Sequence, residues 1–148
     1  MSFLSLNVHL VWSTSGRRPL IKEAWQERLH AFLAGIVRHD RGQAVAIGGM
    51  PDHVHALVRI PSTITIANLM NHLKSNSSKW IHETFPEASD FRWQKEYAAF
   101  TVSASMVETV ERYVRNQVEH HRIRSFQEEL EELLRRHQVE FDPRYVWD

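Results

Sequence analysis

Alternating hydrophobic and polar positions predict four β-strands in this chain. Side chains on a strand point alternately to its two faces. The segment 6–14 alternates without interruption, which predicts a strand with one buried face. Apolar segments at 44–48, 51–60 and 97–103 predict three further strands. The turn-forming segment 49–52 joins the second and third strands, so we expect these two to form a hairpin.

Two helices are predicted between the strands, because apolar residues there recur every three or four positions. The first covers 19–39, and the second runs from a cap at Thr63 or Thr65 to about Phe85. The second helix has a long polar face that carries amides, hydroxyls and lysines and no acidic residue before Glu83.

Two Ser-x-x-Glu capping boxes predict two more helices after the fourth strand. The box at Ser105 opens a helix over about 106–121, and the second box opens a helix over 125–137. The tail beyond it is expected to pack through Tyr145 and Trp147. The helix over 106–121 would pack on the sheet through an apolar stripe: Val107, Val110, Val114 and Val118.

The resulting order of elements, β-α-β-β-α-β followed by two helices, predicts an α+β fold. We expect a ferredoxin-like (RRM-like) four-stranded antiparallel sheet with helices on one face, which leaves the other face available. The helices after the fourth strand would carry Tyr113. A chain of 148 residues fits one domain, 1–148, with a body over 4–124 and an acidic C-terminal helix and tail over 125–148.

Composition excludes several classes of site. The chain has no cysteine, so it can form no disulfide, iron–sulfur cluster or thiolate zinc site. No secretory signal and no bilayer-spanning apolar run is visible, which makes a cytoplasmic protein the expectation. Charge is uneven: residues 1–124 hold 15 Lys/Arg and 11 Asp/Glu, whereas residues 125–148 hold 3 and 7. The small basic excess of the body supports nucleic-acid binding only weakly.

The chemistry is concentrated on one strand and one helix. His53 and His55 lie one strand period apart and so point off the same face, where two imidazoles can hold one divalent metal. Tyr113 and Gln117 are four residues apart, so they lie one turn apart on one helix face, and His120 returns to that face. Gln117 can supply an oxygen as a third metal ligand, and Tyr113 is then placed as a nucleophile near a phosphate.

Each of these features has an ordinary alternative. A lone His-x-His in a strand is commonly structural. His120 and His121 could be a surface pair, or could form a zinc site with His137. Basic and amide side chains that could contact DNA also fit a solvated loop and helix face. These predicted DNA-contact residues are Arg17, Arg18, Lys74, Asn76, Lys79 and Arg92.

In combination, the motifs resemble the small single-tyrosine transposases of bacterial insertion sequences, in the HUH nuclease superfamily and related to the REP-associated tyrosine transposases. The segment 53–55 matches the family's His-hydrophobic-His motif, and 113–117 matches its catalytic pattern Tyr-x-x-Asn-Gln. The resemblance covers nearly all of 4–124. Further matching segments are 9–14, 74–78, and 93–94 leading into 97–100.

The resemblance implies cleavage and rejoining of single-stranded DNA at hairpins near the ends of a mobile element. Tyr113 would become joined to a DNA 5′-phosphate and leave a 3′-hydroxyl, while His53, His55 and Gln117 would bind Mg²⁺ or Mn²⁺. It also implies a homodimer in which the Tyr113 helix can be exchanged between subunits, although REP-associated relatives can act as monomers. Such a protein would be associated with the nucleoid when bound to DNA.

Two other functions compete with this one. A four-stranded sheet with one open face also describes RNA-recognition domains, which bind single strands without catalysis. The face carrying His53, His55, Leu57 and Arg59 is nevertheless a poor platform for stacking bases. The other alternative is a metal-dependent hydrolase that uses His53, His55, His120 or His121 with water as its nucleophile and forms no covalent adduct.

Overall fold

The computed structural model describes residues 2–144, so the predicted packing of Tyr145 and Trp147 lies outside the described residues. Its centre is a four-stranded sheet in the order β2-β3-β1-β4, in which every neighbouring pair is antiparallel. This is the predicted ferredoxin-like α+β arrangement, which is therefore confirmed. The strands are β1 (Asn7–Ser13), β2 (Gln43–Met50), β3 (His53–Arg59) and β4 (Ala98–Val102).

Between residues 2 and 144, five α-helices and three single 3₁₀ turns connect and cover the strands. Among residues 2–144, no helix combines the length and the apolar character needed to cross a bilayer. The 3₁₀ turns are Ser15–Arg17, Pro86–Ala88 and Ala104–Met106. The helices are α1 (Glu23–His39), α2 (Ile66–Thr84), α3 (Val107–Arg115), α4 (Gln117–His120) and α5 (Phe126–Arg136).

The first two helices pack on one face of the sheet and enclose the larger core. Both are amphipathic, with buried apolar residues at helical spacing facing the apolar side chains of β1 and β3. Thr65 caps α2 by accepting a hydrogen bond from the Asn68 backbone N–H, which settles the alternative with Thr63. Fully buried members of this core include Leu10, Leu29, Leu33, Val54, Ala56, Leu69 and Leu73.

The opposite face is not open, which corrects the sequence-based expectation for this side of the sheet. All seven residues of β1 are buried, so both of its faces are covered. The helices α3 and α5 cover the second face through two smaller apolar clusters. The first contains Ala46, Leu57, Val102 and Val114, and the second contains Val11, Phe100, Phe126, Leu133 and Leu134.

The helix predicted over 106–121 is broken in two, because Asn116 leaves helical geometry with φ −106° and ψ 34°. Val118, the last residue of the predicted apolar stripe, is therefore exposed. The predicted capping box at Ser105 is also wrong: α3 begins at Val107, and the Ser105 hydroxyl contacts Ser103 instead. The second capping box is present, with Ser125 and Glu128 bonded reciprocally at the start of α5.

Close packing fixes the position of α3 on the sheet. A Cβ atom added at Gly48 of β2 would overlap with the carbonyl oxygen of Val114, so only glycine allows the helix backbone to approach this closely. The guanidinium of Arg115 donates a hydrogen bond of 2.9 Å to the carbonyl of Val45 at the same strand. These two contacts hold the helix that carries Tyr113 against its own sheet.

Candidate metal and tyrosine site

Two histidines of β3 point their Nε2 atoms into one buried site. His53 and His55 are completely buried beneath α4 and α5, and the Phe126 ring stacks on His53 with ring centroids 4.1 Å apart. His53 Nδ1 lies 2.7 Å from the carboxylate of Asp52. A carboxylate on Nδ1 fixes the ring orientation and leaves Nε2 as the metal-facing atom, as is usual for histidine ligands.

The second histidine has a histidine as its outer partner. His55 Nδ1 lies 2.8 Å from Nε2 of His9 on β1, and both rings are buried. Burial, together with the neighbouring His55, lowers the pKa of His9 to about 3. Burial also lowers the pKa of His55 to about 4. Both imidazoles are therefore neutral near pH 7, which is the state that binds a metal.

The third predicted ligand, Gln117, lies in the same site and in the same chain. Its Oε1 is 3.1 Å from His53 Nε2 and 3.2 Å from His121 Nε2, and the residue is only 2% exposed. The break at Asn116 lies directly before it. The structure thus brings His53, His55 and Gln117 together without any partner subunit.

The site contains a carboxylate that the sequence interpretation missed. Glu129 of α5 is buried, and its Oε1 is 2.8 Å from His55 Nε2, 3.3 Å from His121 Nε2 and 3.5 Å from His53 Nε2. Burial opposes ionisation of Glu129, but the hydrogen bonds from His121 and His55 outweigh it and hold the pKa of the carboxyl well below its usual range. Partial burial opposes protonation of His121, but its hydrogen bond to the charged Glu129 outweighs this and raises the pKa of His121.

The predicted nucleophile, Tyr113, contacts the same carboxylate. Its hydroxyl donates a hydrogen bond to Glu129 Oε2, and its ring packs against the rings of His55 and His120. Burial, followed by the adjacent Glu129 charge, raises the pKa of Tyr113 well above its ordinary value. The phenol is therefore protonated in this arrangement.

The donor set fits a divalent metal ion. Within residues 2–144, one group of three His, Asp or Glu side chains has its donor atoms within 4.8 Å of one another: His53, His55 and Glu129. Ligands about 2.1 Å from an ion such as Mg²⁺ lie about 3 Å apart when they are neighbours in an octahedral shell. His55 Nε2 lies 2.8 Å from Glu129 Oε1, and His53 Nε2 lies 3.1 Å from Gln117 Oε1 and 3.5 Å from Glu129 Oε1. These three distances are close to that value.

Sequence signals existed for some of the residues that were missed. On α5, Glu129 occupies the apolar stripe formed by Phe126, Leu130, Leu133 and Leu134, and a carboxylate in such a stripe needs a buried partner. His9 lies on the same face of the sheet as His53 and His55, because Val11 pairs with His55 and alternate residues of a strand share a face. No pattern indicated that His121 would turn back to the site, because that depends on the break at Asn116.

Neither the alternative zinc site nor the RNA-recognition alternative gains support from this geometry. In the described part of the chain, His120, His121 and His137 do not form a group of three donors able to hold a zinc ion. His137 instead stacks on Phe100. The face proposed for base stacking in an RNA-recognition domain is covered by α3 and α5, so it offers no open platform.

The predicted DNA-contact residues fall into separate places. Arg17 is half-buried in a cleft that it shares with Asp52, His121 and Arg124, beside the site, and Arg18 is exposed next to it. Arg92 is exposed in the segment before β4. By contrast, Asn76 and Lys79 line a groove between α1 and α2, on the other side of the sheet from the histidines.

Lys74 has a structural role that the sequence did not indicate. Its ammonium donates hydrogen bonds of 2.7–2.8 Å to the three successive carbonyls of Gln94, Lys95 and Glu96. Nearby, the indole of Trp93 donates to the buried Ser77 hydroxyl at 2.9 Å. The two segments 74–78 and 93–94, which carried part of the family resemblance, therefore pack together and hold the chain that enters β4.

The ferredoxin-like sheet brings two histidines, a glutamine and a tyrosine to one buried site. This combination of fold and site is the one expected for a single-tyrosine transposase. The chain belongs to the IS200-like transposases, whose family model matches residues 2–117. Membership of this family makes it a DNA-processing enzyme. The helix α5, with Glu129, lies beyond the matched residues.

Relatives and solved structures agree with this assignment. The transposase TnpA of the element ISDra2 from Deinococcus radiodurans is 23% identical over 117 residues, which cover 76% of this chain and 84% of that protein. A crystal structure from the same species, of a protein proposed to be a transposase, is 26% identical, with a TM-score of 0.63 over 78% of this chain and 93% of that chain. A REP-associated tyrosine transposase bound to a REP hairpin shares the fold at 12% identity, with a TM-score of 0.56 over 77% of this chain and 67% of that chain.

Proposed function

We propose that this transposase cleaves and rejoins single-stranded DNA with Tyr113 as the nucleophile. His53, His55 and Gln117 would hold Mg²⁺ or Mn²⁺ beside it. The observation that carries the proposal is the convergence, within one chain, of the Tyr113 hydroxyl and both histidine Nε2 atoms on a single buried carboxylate. A nucleophile and a metal-binding group at this separation suit attack on a phosphodiester.

The phenol is the costly partner in this reaction. Ionising a tyrosine whose pKa is about 10 costs roughly 4 kcal/mol at pH 7. The burial of Tyr113 raises its pKa and so adds to that cost. A bound divalent ion supplies Lewis-acid stabilisation of the phosphate, which is worth several kcal/mol. The protein's own part is to orient the ligands: Asp52 holds Nδ1 of His53, and His9 holds Nδ1 of His55.

The proposed cleavage step conserves the phosphodiester bond energy. The Tyr113 hydroxyl loses its proton, its oxygen bonds to phosphorus, and the bond from phosphorus to the 3′-oxygen breaks. The 3′-oxygen takes up a proton, which leaves a DNA 3′-hydroxyl and a 5′-phosphotyrosine on the protein. Attack by another strand's 3′-hydroxyl reverses these changes, releases Tyr113 and rejoins DNA without any nucleotide hydrolysis.

We propose hairpin ends of a mobile element as the substrate. Support comes from the fold shared with a tyrosine transposase that is bound to a REP hairpin. The cleft containing Arg17 and Arg124 lies beside the site and suits the approach of a phosphate backbone. Arg18 and Arg92, which are exposed, would contact the DNA strand outside this cleft. Asn76 and Lys79 lie on the opposite side of the sheet and would contact only DNA that reaches that side.

The homodimer implied by the family resemblance remains a proposal. The catalytic step does not require an exchanged Tyr113 helix, because Gln117 and Tyr113 meet His53 and His55 within one chain. We therefore propose that each subunit carries a complete site in cis. Sedimentation of the purified protein with and without hairpin DNA would count the subunits.

A nicking assay tests the proposed function. Purified protein is incubated with end-labelled single-stranded hairpin DNA, with Mn²⁺ or with EDTA, and resolved on a denaturing gel. We expect cleavage with Mn²⁺, none with EDTA, and none for His53→Ala. Binding without cleavage in Mn²⁺ would instead indicate a non-catalytic DNA-binding module.

A further inference from the structure

We propose that Glu129 is itself a ligand of the divalent ion, so that α5 supplies the charged member of the metal centre. This inference rests on the proposed metal site, to which it adds a residue from outside the family-matched segment 2–117. It makes the acidic C-terminal helix an integral part of the site.

The first argument is geometric. Glu129 Oε1 lies 2.8 Å from His55 Nε2 and 3.5 Å from His53 Nε2, and His53 Nε2 lies 3.1 Å from Gln117 Oε1. The donor atoms of His53, His55 and Glu129 lie within 4.8 Å of one another, and Gln117 Oε1 adjoins this group at His53. Spacings near 3 Å are those of neighbouring ligands in the shell of a small divalent ion.

The second argument concerns charge. His53, His55 and Gln117 are neutral ligands, and their side chains are almost completely buried. A divalent cation placed among them loses its water shell and needs a negative partner. Glu129, which is 4% exposed, is the carboxylate that faces these ligands. Carboxylate oxygens are also preferred ligands of Mg²⁺ and Mn²⁺.

The third argument is that α5 is built to hold Glu129 in place. The Ser125 capping box fixes the start of the helix one turn before Glu129. Phe126, Leu133 and Leu134 anchor the same helix face against β1 and β4. A ligand on a packed helix is held more accurately than one on a loop.

The two oxygens of Glu129 have different partners, which gives the residue a positioning role as well. While Oε1 faces the histidines, Oε2 accepts the hydrogen bond from Tyr113. One carboxylate therefore sets the separation between the nucleophile and the metal ligands. The alternative is that Glu129 only occupies the place of the metal, as an anion paired with the histidines.

These two roles predict opposite effects on metal binding. If Glu129 is a ligand, removing its charge weakens binding; if it merely fills the site, removing its charge leaves binding unchanged or strengthens it. Mn²⁺ titration of the whole 148-residue chain, read by electron paramagnetic resonance without DNA, measures this affinity independently of catalysis. Circular dichroism checks that each variant is folded.

Four proteins make the comparison: wild type, Glu129→Gln, Glu131→Gln and His53→Ala. Glu131→Gln is the matched control, because it removes the same charge from the same helix. Within residues 2–144, the Glu131 carboxylate forms an ion pair with Arg135 at 3.7 Å. We expect Glu129→Gln to raise the Kd for Mn²⁺ at least about tenfold, Glu131→Gln to leave it unchanged, and His53→Ala to abolish the site.

A Glu129→Asp variant keeps the charge on a shorter side chain, and its Kd should lie between those of wild type and Glu129→Gln. If Glu129→Gln binds Mn²⁺ as tightly as wild type while His53→Ala does not, the role of Glu129 is overturned and the proposed metal site stands. If wild type and His53→Ala behave alike, the metal site itself is refuted, and the inference fails with it.

Discussion

The Tyr113 hydroxyl donates its hydrogen bond to Glu129, a buried carboxylate sixteen residues further along the chain. This bond joins the helix that carries the predicted nucleophile to a helix that the sequence placed outside the catalytic body. The phenol is protonated here, because burial and then the nearby Glu129 charge both raise the pKa of Tyr113. In the proposed reaction we expect the substrate to displace this hydrogen bond when it reaches Tyr113.

Replacing His9 tests whether the ligands need their outer partners. His9→Phe keeps an aromatic ring in the core but removes the nitrogen that contacts His55 Nδ1 at 2.8 Å. Loss of such a partner typically costs about 10- to 100-fold in metal affinity, and we expect a decrease of that size in Mn²⁺ binding. His39→Phe is the control, since the His39 side chain is 90% exposed. Equal Mn²⁺ affinity of the His9 and His39 variants would mean that His9 does not orient His55.

Replacing Gly48 tests the close docking of α3. In Gly48→Ala the new methyl group overlaps with the Val114 carbonyl, so the Tyr113 helix must shift away from β2. Overpacking of this kind costs about 1–3 kcal/mol, which urea denaturation would measure as a lower free energy of unfolding. In Gly35→Ala, the added Cβ meets only the Arg38 side chain at 3.8 Å, and this helical substitution should be neutral or stabilising. A Gly48→Ala protein as stable as wild type would refute the docking argument.

Replacing Lys74 separates a structural role from a DNA-contact role. Lys74→Met removes three hydrogen bonds to the carbonyls of 94–96, and we expect the free energy of unfolding to fall by about 1–3 kcal/mol. Amide hydrogen exchange should accelerate in the segment leading into β4. Lys79→Met, at an exposed position, should change stability by less than about 0.5 kcal/mol. If both variants were equally stable and only DNA affinity fell, Lys74 would act on DNA instead.

Replacing the two arginines beside the site tests the path of the DNA. In the double variant Arg17→Ala, Arg18→Ala, we expect weaker binding of single-stranded hairpin DNA. The slope of log K against log salt should become shallower by about 0.7–0.9 for each phosphate that the protein no longer neutralises. Arg41→Ala is the control, because Arg41 is exposed in the turn between α1 and β2. An unchanged slope in the double variant would place the DNA elsewhere.

The ferredoxin-like sheet could be predicted from the sequence because local patterns determine it. The alternation in β1 and the helical spacing in α1 and α2 each identify an element without reference to the others. The His53–His55 pair followed for the same reason, since the period of a strand fixes which side chains share a face. Gln117 could be predicted because it stays one turn from Tyr113 despite the break at Asn116: its side-chain amide donates a hydrogen bond to the Tyr113 carbonyl.

Only part of the cover over the second face could be predicted. The stripe Val107, Val110 and Val114 of α3 packs on the sheet as expected, but the break in that helix and the position of α5 depend on contacts distant in sequence. The stripe containing Val118 favours one long helix, yet the chain breaks at Asn116 and buries Gln117 against His53 instead. Likewise, the sequence of α5 predicts an acidic surface helix, whereas in the structure its apolar face packs on β1 and β4. Tertiary packing overrides local propensity at both points.

The most direct test of the account is whether Tyr113 forms a covalent bond to DNA. Wild-type protein, Tyr113→Phe and the exposed-site control Tyr97→Phe are incubated with 3′-labelled single-stranded hairpin DNA and Mn²⁺, then denatured and separated by electrophoresis. We predict a labelled protein–DNA adduct for wild type and Tyr97→Phe and none for Tyr113→Phe. An adduct that persists in Tyr113→Phe would contradict the assignment of the nucleophile and with it the proposed mechanism.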